Sequence, residues 1–322
     1  MISVVVPSNR VGGLDVLCDS LATQTHKDFE LILVDALYRY RRDIVAERTR
    51  AYDFPILHIP PRDDPFPRVA YCQTMNSGVA HASGDTLVYL CDYTWLFPDC
   101  LATHAENQAR RPGPLLLDFA YTSIPELKPG LPLYSTDQHD GPQSTLHSES
   151  PEDYQFRINE LTLRYKADLD AGKLDEYLWS TFVESPTEES VRALNVEHTH
   201  YKGEPGPAMP WPDYNWCCFK NESFPTELML GMNGHDEAFD ESHVYQDHEF
   251  SYRLRKAGVE WFAARAGEAR CLNMHWRMTV KYLPRPTTYN KDLCALGEMR
   301  GWTDPVNPGF SLREWRERTI RE

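Results

Sequence analysis

One carboxylate stands out by its setting. Asp247 lies within residues 233–258, NGHDEAFDESHVYQDHEFSYRLRKAG, and the second half of that stretch has helical spacing. Phe250, Leu254 and Ala257 fall at i, i+4 and i+7, and Gly258 offers a C-terminal stop. Glu249 and Arg253, at i, i+4 on the other side, read as a supporting ion pair. Asp247 sits one turn before Phe250, at the helix N-terminus. An acid there either caps the helix or faces a cleft, where a positioned carboxylate can take the proton of an attacking hydroxyl. Spacing alone leaves both readings open. Upstream, Asp236 and Glu237 follow a turn at Gly234 and are the next acids in line.

Something must hold such acids in place, and the first third of the chain has the pattern for it. ISVVVP (2–7), FELILVD (29–35), PILHIP (55–60) and TLVYLCD (86–92) read as strands buried on both faces. Leu14, Leu17 and Leu21 recur at helical spacing between the first two, and residues 68–82 read as a helix that stops at Ser83-Gly84, with glycine at the C-cap. Alternation of this kind predicts a doubly wound α/β sheet, whose ligands bind at the carboxyl ends of the strands. Those ends carry Pro7-Ser8-Asn9, Asp35 and Asp92-Tyr93-Thr94. Carboxylates at such an edge suit a ribose, a base edge or a phosphate-neutralising metal, or they cap the helices that follow. Neither GxGxxG nor GxxxxGK[ST] occurs, which excludes the usual dinucleotide and P-loop sites.

The 322 residues, 41% hydrophobic and 12% aromatic, have the composition of a folded globular protein of one large domain or two ordinary ones. A formal net charge of −15 argues against a binder of nucleic-acid backbones. The densest basic run, RYRR at 39–42, reads as a solvated helix face. Eight cysteines without a CxxC or framework spacing suit a reducing compartment. With no leader ahead of the opening strand and no apolar run of membrane-spanning length, a cytoplasmic protein is expected.

Residues 119–209 are polar, Pro-rich and acidic, with loop signals at KPG (128–130) and HDGPQ (139–143) and helical character over 152–178. His198 and His200 lack the further ligand spacing of a metal site. WPDYNWCCFK (211–220) is dense in rings. Trp211, Tyr214 and Trp216 read as core or as faces on which a sugar stacks, with Asp213 and Asn215 to fix hydroxyls. The terminal SLREWRERTIRE reads as an amphipathic helix packed on the body or on a partner subunit.

Taken together and in order, ISVVVPSNR, SLATQTHKDFELILVD and MNSGVAHASGDTLVYLCDYTWLFPDCL resemble the N-terminal half of a family 2 glycosyltransferase of the GT-A fold, over roughly residues 1–110. Gly234, Asp236, Glu237 and Phe239 match that family's G-G-F-D-E-x-F turn, and QDHEFSYRLRKAG matches its E-D-x-E-L-x-x-R-L-x-x-A-G helix. The resemblance implies an α/β fold of GT-A type: a single Rossmann-like, mostly parallel sheet flanked by helices, with a large helical and loop insertion and a C-terminal helical extension. It divides the chain into a nucleotide-sugar-binding half (1–118), a variable acceptor or lid insertion (119–209), a catalytic half (210–282) and an extension (283–322).

By the same resemblance Pro7, Ser8, Asn9, Asp35, Arg68, Asn76, Asp92 and Tyr93 would bind the nucleotide sugar. Trp211, Asp213, Asn215, Trp216 and His235 would meet the acceptor or sugar. Asp247 would be the general base of an inverting transfer from a nucleoside-diphosphate sugar, a UDP-sugar first, to a hydroxyl acceptor, with Asp236 and Glu237 beside it. A divalent metal, Mn²⁺ or Mg²⁺, would sit on Asp92 and His275, with Arg277 and Lys281 near the diphosphate, and a homo-oligomer is compatible with the charged terminal helix. Four departures matter. Asp35 is followed by Ala36 rather than a second acid, Tyr93 stands where the acidic motif supplies another acid and so speaks against a full metal site, His235 replaces an aromatic, and Gln246 replaces a Glu. Gln246 cannot act as a base, which leaves Asp247. A catalytically impaired binding module and a nucleotidyltransferase are the alternatives. The latter wants a basic loop near the N-terminus, where VPSNRVGG has only Arg10.

Overall fold

The computed structural model describes residues 1–63, 66, 70–122, 126–132, 151–194, 196–200, 206–210, 219–241, 246–265, 270–274 and 311–321. Strand β1 (Ile2–Ser8) is followed by α1 (Leu14–Ala22), β2 (Phe29–Asp35), α2 (Tyr38–Arg48), β3 (Ile56–Ile59), α3 (Tyr71–His81) and β4 (Thr86–Tyr89). Then come β5 (Thr94–Leu96), α4 (Cys100–Arg110), β6 (Leu115–Leu117), β7 (Phe119–Thr122), α5 (Pro151–Asp170), α6 (Glu188–Arg192), β8 (Val196–His200) and β9 (Gly206–Pro210). The last third holds β10 (Glu222–Pro225), α7 (Thr226–Gly231), α8 (Gln246–Lys256), β11 (Phe262–Arg265), β12 (Cys271–Met274) and α9 (Leu312–Arg321).

Eight strands form one sheet in the order β3-β2-β1-β4-β10-β6-β11-β9, and β5-β12-β7-β8 form a second. The β3-β2-β1-β4 half is parallel throughout, while β10 runs antiparallel to both of its neighbours. The fold is therefore α/β, with a mostly parallel central sheet and flanking helices. Parallel strands need cover on both faces, and the Val and Leu runs of β1 and β2 are buried almost without interruption. β3 departs from the expectation of burial on both faces. It ends the sheet, has one neighbour, and leaves Leu57 38% exposed.

Helix α3 seats directly on this sheet because Gly78 lacks a side chain, and a Cβ there would lie 2.3 Å from Val5 Cγ1. The glycine after it has a different role from the expected C-cap. α3 is capped at Ala82, and Gly84 instead passes so close to β1 that a Cβ would lie 2.8 Å from the Met1 carbonyl oxygen. Residues 119–209 do not stand apart from the body. They supply β7 and β8 to the second sheet and β9 to the first. The tyrosine hydroxyl of Tyr165, on α5, accepts the Val11 amide at 3.1 Å.

The helix expected before Gly258 is α8. It ends in a Schellman-type stop, with Gly258 at φ 70°, its amide on the Arg255 carbonyl and the Val259 amide on Leu254. Phe250 and Leu254 are fully buried, whereas Ala257 is exposed, because the chain turns away there. The terminal helix α9 packs on the body: Leu312 donates its amide to Asn233 Oδ1 (2.7 Å), Trp315 meets His81, and Arg316 reaches the Ala82 carbonyl. Cys18, Cys72, Cys91, Cys100 and Cys271 are free, four of them buried as small hydrophobes. Among the described residues no helix is long and apolar enough to cross a membrane.

Candidate active site

The carboxyl ends of β1, β2 and the strand leading to Asp92 meet in a continuous chain of charges. Asp35 accepts two bonds from Arg41, at 2.5 and 2.7 Å, one from His58 at 2.7 Å and one from the Leu37 amide at 2.8 Å. Four donors occupy its four lone-pair directions. Burial by itself would raise the Asp35 pKa, but Arg41 and His58 outweigh it and hold the carboxyl below its ordinary range. Arg41 also donates to Ser8 Oγ (2.7 Å) and to the Arg10 carbonyl (2.8 Å). The Ser8 hydroxyl passes the link on to Asp92 Oδ2 at 2.6 Å, and Arg10 closes it on Asp92 Oδ1 at 2.5 Å. The Arg10 guanidinium lies 3.7 Å from the centre of the Tyr93 ring. Pro7 and Ser8 are buried at the end of β1 and Asn9 is half-buried.

Two acids are thus matched by two arginines, and the edge that reads as acidic in the sequence is neutralised. This corrects the reading of RYRR as a solvated face, since Arg41 is completely buried. It also tests the implied metal. Asp92 already holds a full positive charge on one oxygen and a hydroxyl on the other, so a second cation on that carboxylate would meet like-charge repulsion from Arg10. As arranged, Asp92 does not fit a metal ion. Among the described residues no three His, Cys, Asp or Glu side chains gather as a metal site.

A second cluster joins α3 to the turn after α7. Asn76 accepts the His235 amide at 2.8 Å, and its amide group donates to the His235 carbonyl (2.9 Å) and to Glu237 Oε1 (3.0 Å). The fit depends on Gly234, which has φ 65° and whose Cβ would lie 2.3 Å from Asn76 Oδ1. Arg62 holds the other oxygen of Glu237 at 2.6 Å. Burial nevertheless leaves the Glu237 pKa raised, against the pull of Asn76 and Arg62. Asp236 accepts the Ala238 amide at 3.0 Å and so starts the 3-10 turn Glu237–Glu241.

Behind the turn, Glu249 and Arg253 are buried rather than on the outer side of α8. The reason is the turn itself, because Arg253 donates to the carbonyls of Met232 (2.9 Å) and Gly234 (2.7 Å). His235, expected at the acceptor, is fully buried among Phe250, Phe219 and Tyr89, with ring centres 4.7, 5.0 and 6.4 Å away. Burial, and then Arg253, push its pKa down to about 3. It packs there as a neutral ring.

Asp240 caps α3 from a distance, accepting the amides of Cys72 (2.5 Å) and Gln73 (3.0 Å). Those amides favour the charged form, but burial prevails and pushes the pKa up from 3.8 to about 7. The folded carboxyl therefore keeps its proton where the unfolded one has lost it. Its contribution to stability is full below the unfolded pKa and is lost as pH rises towards 7. Asp240→Asn, which retains a capping oxygen, is expected to flatten that decline, as measured by urea unfolding at stepped pH.

No family model matches the chain. Over 100 residues it is 34% identical to an uncharacterized glycosyltransferase of Haemophilus influenzae, a match spanning 31% of this chain and 31% of that protein. One stretch of the chain is glycosyltransferase-like. Among solved structures, S. aureus TarS 1–349 in complex with UDP overlays with a TM-score of 0.49 at 12% identity, covering 85% of this chain and 60% of that one. GalNAc-T7 with UDP, GalNAc and Mn²⁺ gives 0.49 at 12% identity, covering 99% of this chain and 54% of that one. Overlays this loose transfer no residue role.

Of the remaining expected site residues, Asp247 falls in the first turn of α8. Arg68, Trp211, Asp213, Asn215, Trp216 and His275 lie outside the described residues, as do Arg277 and Lys281. Sequence reasoning missed Arg41, Arg10 and Arg62 as members of the site. A buried carboxylate at a strand end requires a charged partner. Arg41, six residues after Asp35, was therefore within reach of a local argument. Arg10 and Arg62 find their acids 82 and 175 residues away, and no local signal marks them.

Proposed function

We propose that the protein is an inverting glycosyltransferase of GT-A type, which moves a sugar from a nucleoside-diphosphate sugar, a UDP-sugar first, to a hydroxyl acceptor, with Asp247 as general base. The observation that carries this reading is the Asn76 clip. It joins the N-x-G helix of the first half to the Gly-Asp-Glu turn of the second, 159 residues away at His235 and 161 at Glu237. Those are two of the motifs on which the resemblance rests, and the glycosyltransferase-like match over 100 residues adds to it.

An alcohol is a poor nucleophile at neutral pH, so a carboxylate has to accept its proton as the anomeric bond forms. Glu237 is tied to Arg62 and Asn76, and Asp236 to the Ala238 amide. Asp247, at the N-terminus of α8, is the acid we assign to this task. Trp211, Asp213, Asn215 and Trp216 are assigned to the acceptor or sugar on their composition. Tyr93 in place of an acid and Gln246 in place of a Glu favour one second reading, a nucleotide-binding module without turnover.

Incubation with a panel of UDP-sugars, with and without Mn²⁺, separates the two. The transferase reading expects slow release of UDP from at least one donor above the protein-free control. Tight nucleotide binding with no release from any donor would establish the silent module instead.

A further inference from the structure

Arg10 lies two residues beyond the end of β1, on the sheet edge where ligands of parallel α/β sheets bind. It differs from Arg41, the other arginine of the network. Arg41 is wholly enclosed, whereas Arg10, also buried, keeps 7% of its surface exposed. The Asp92 carboxylate at 2.5 Å and the Tyr93 ring 3.7 Å beneath it hold its guanidinium, and its main chain is anchored, since Arg41 binds the Arg10 carbonyl. Asp92 is itself fixed by Ser8. A planar, permanently charged group pinned in this way is suited to phosphate oxygens.

The Tyr93 substitution then has a physical meaning. A carboxylate at that position would recruit a metal ion, whereas the face of an aromatic ring recruits an organic cation. A chain that has a ring in place of the acid, and an arginine on that ring, presents guanidinium N–H donors there although the Arg10–Asp92 pair is neutral overall. Burial tends to weaken the Arg10 charge, but Asp92 and then Tyr93 outweigh it, so the guanidinium stays protonated.

We propose that Arg10 is the resident cation of the donor site. It binds the diphosphate of the nucleotide in the role of a divalent metal, with Asp92 and Tyr93 as positioning residues that aim it. The inference rests on the glycosyltransferase reading and extends it to the donor's charged group: nucleoside diphosphate binds without metal.

Calorimetric titration of the full chain with UDP and with GDP, in EDTA and then in Mn²⁺, tests this without relying on turnover. The nucleotide that binds is expected to do so with the same affinity in both buffers, within about twofold. Arg10→Gln is expected to weaken it by about tenfold or more, the size of effect a lost charge-assisted contact gives, while the corresponding nucleoside, uridine or guanosine, binds as before. Because Arg10→Gln strands the Asp92 charge, the double variant Arg10→Gln with Asp92→Asn restores neutrality and should show the same selective loss. Tightening by Mn²⁺ of about tenfold or more, or unchanged diphosphate affinity in the double variant, overturns the assignment while leaving the transferase reading intact. Absence of binding by either nucleotide in either buffer overturns both.

Discussion

Asp247→Asn is expected to lower the turnover number by about 10²–10⁴-fold, the range a single general base contributes, with nucleotide affinity nearly unchanged. The substitution keeps the shape of the side chain and removes its ability to accept a proton. Gln246 has no basic oxygen, and Asp236 and Glu237 are already engaged with the Ala238 amide, Asn76 and Arg62. Donor hydrolysis and calorimetric binding of UDP on the same preparation separate the two quantities. A variant that binds UDP and still turns over at more than about a tenth of the normal rate would falsify the assignment, because a base worth only one factor of ten is below the range expected of it.

The largest expected effect on stability comes from the same helix. Arg253→Ala leaves Glu249 fully buried beside a vacated partner, and breaking a buried pair from one side costs about 3–5 kcal/mol. The Glu249 pKa is already raised by burial, with Arg253 the main force opposing it, so the deficit should grow as the acid ionises. The double variant Glu249→Leu with Arg253→Met removes both charges and should recover most of the loss. Guanidinium unfolding of the three proteins provides the comparison. A single variant that loses under about 1 kcal/mol would show that the pair is not a buried strut, since that is the range of exposed pairs.

What could be read ahead of the structure follows the range of the forces involved. β1 and β2 were legible because runs of Val, Ile and Leu are a local signal, and the strand over 29–35 is found with the expected bounds. The exposure of Leu57 was not legible, because sheet order decides which strand lies at the edge. The Gly-Asp-Glu turn was visible as a motif, but not its attachment to Asn76. Glu249 and Arg253 show the limit most clearly. The i, i+4 spacing correctly announced a pair, and only the carbonyls of Met232 and Gly234 explain why it points inward. Charges at the sheet edge were counted from one side, the acids: Arg41 was near enough to Asp35 to be inferred, whereas Arg10 meets Asp92 across 82 residues.

The docking of α9 on α3 bears on the order in which the chain can fold during synthesis. Arg316 bonds to Ala82 across 234 residues, and Leu312 is capped by Asn233, the residue just before the Gly234 turn. At a synthesis rate of about 5–20 residues per second, the ribosome needs about 10–50 s to pass from one side of that contact to the other. Throughout that interval the outer end of α3 is uncovered, and the turn, once made, waits a further 79 residues for Leu312. The parallel half of the sheet, by contrast, closes on neighbours made much earlier. The nascent chain therefore carries a formed parallel half-sheet well before the Gly234 turn is locked, and the interval between the two is when a chaperone would find it.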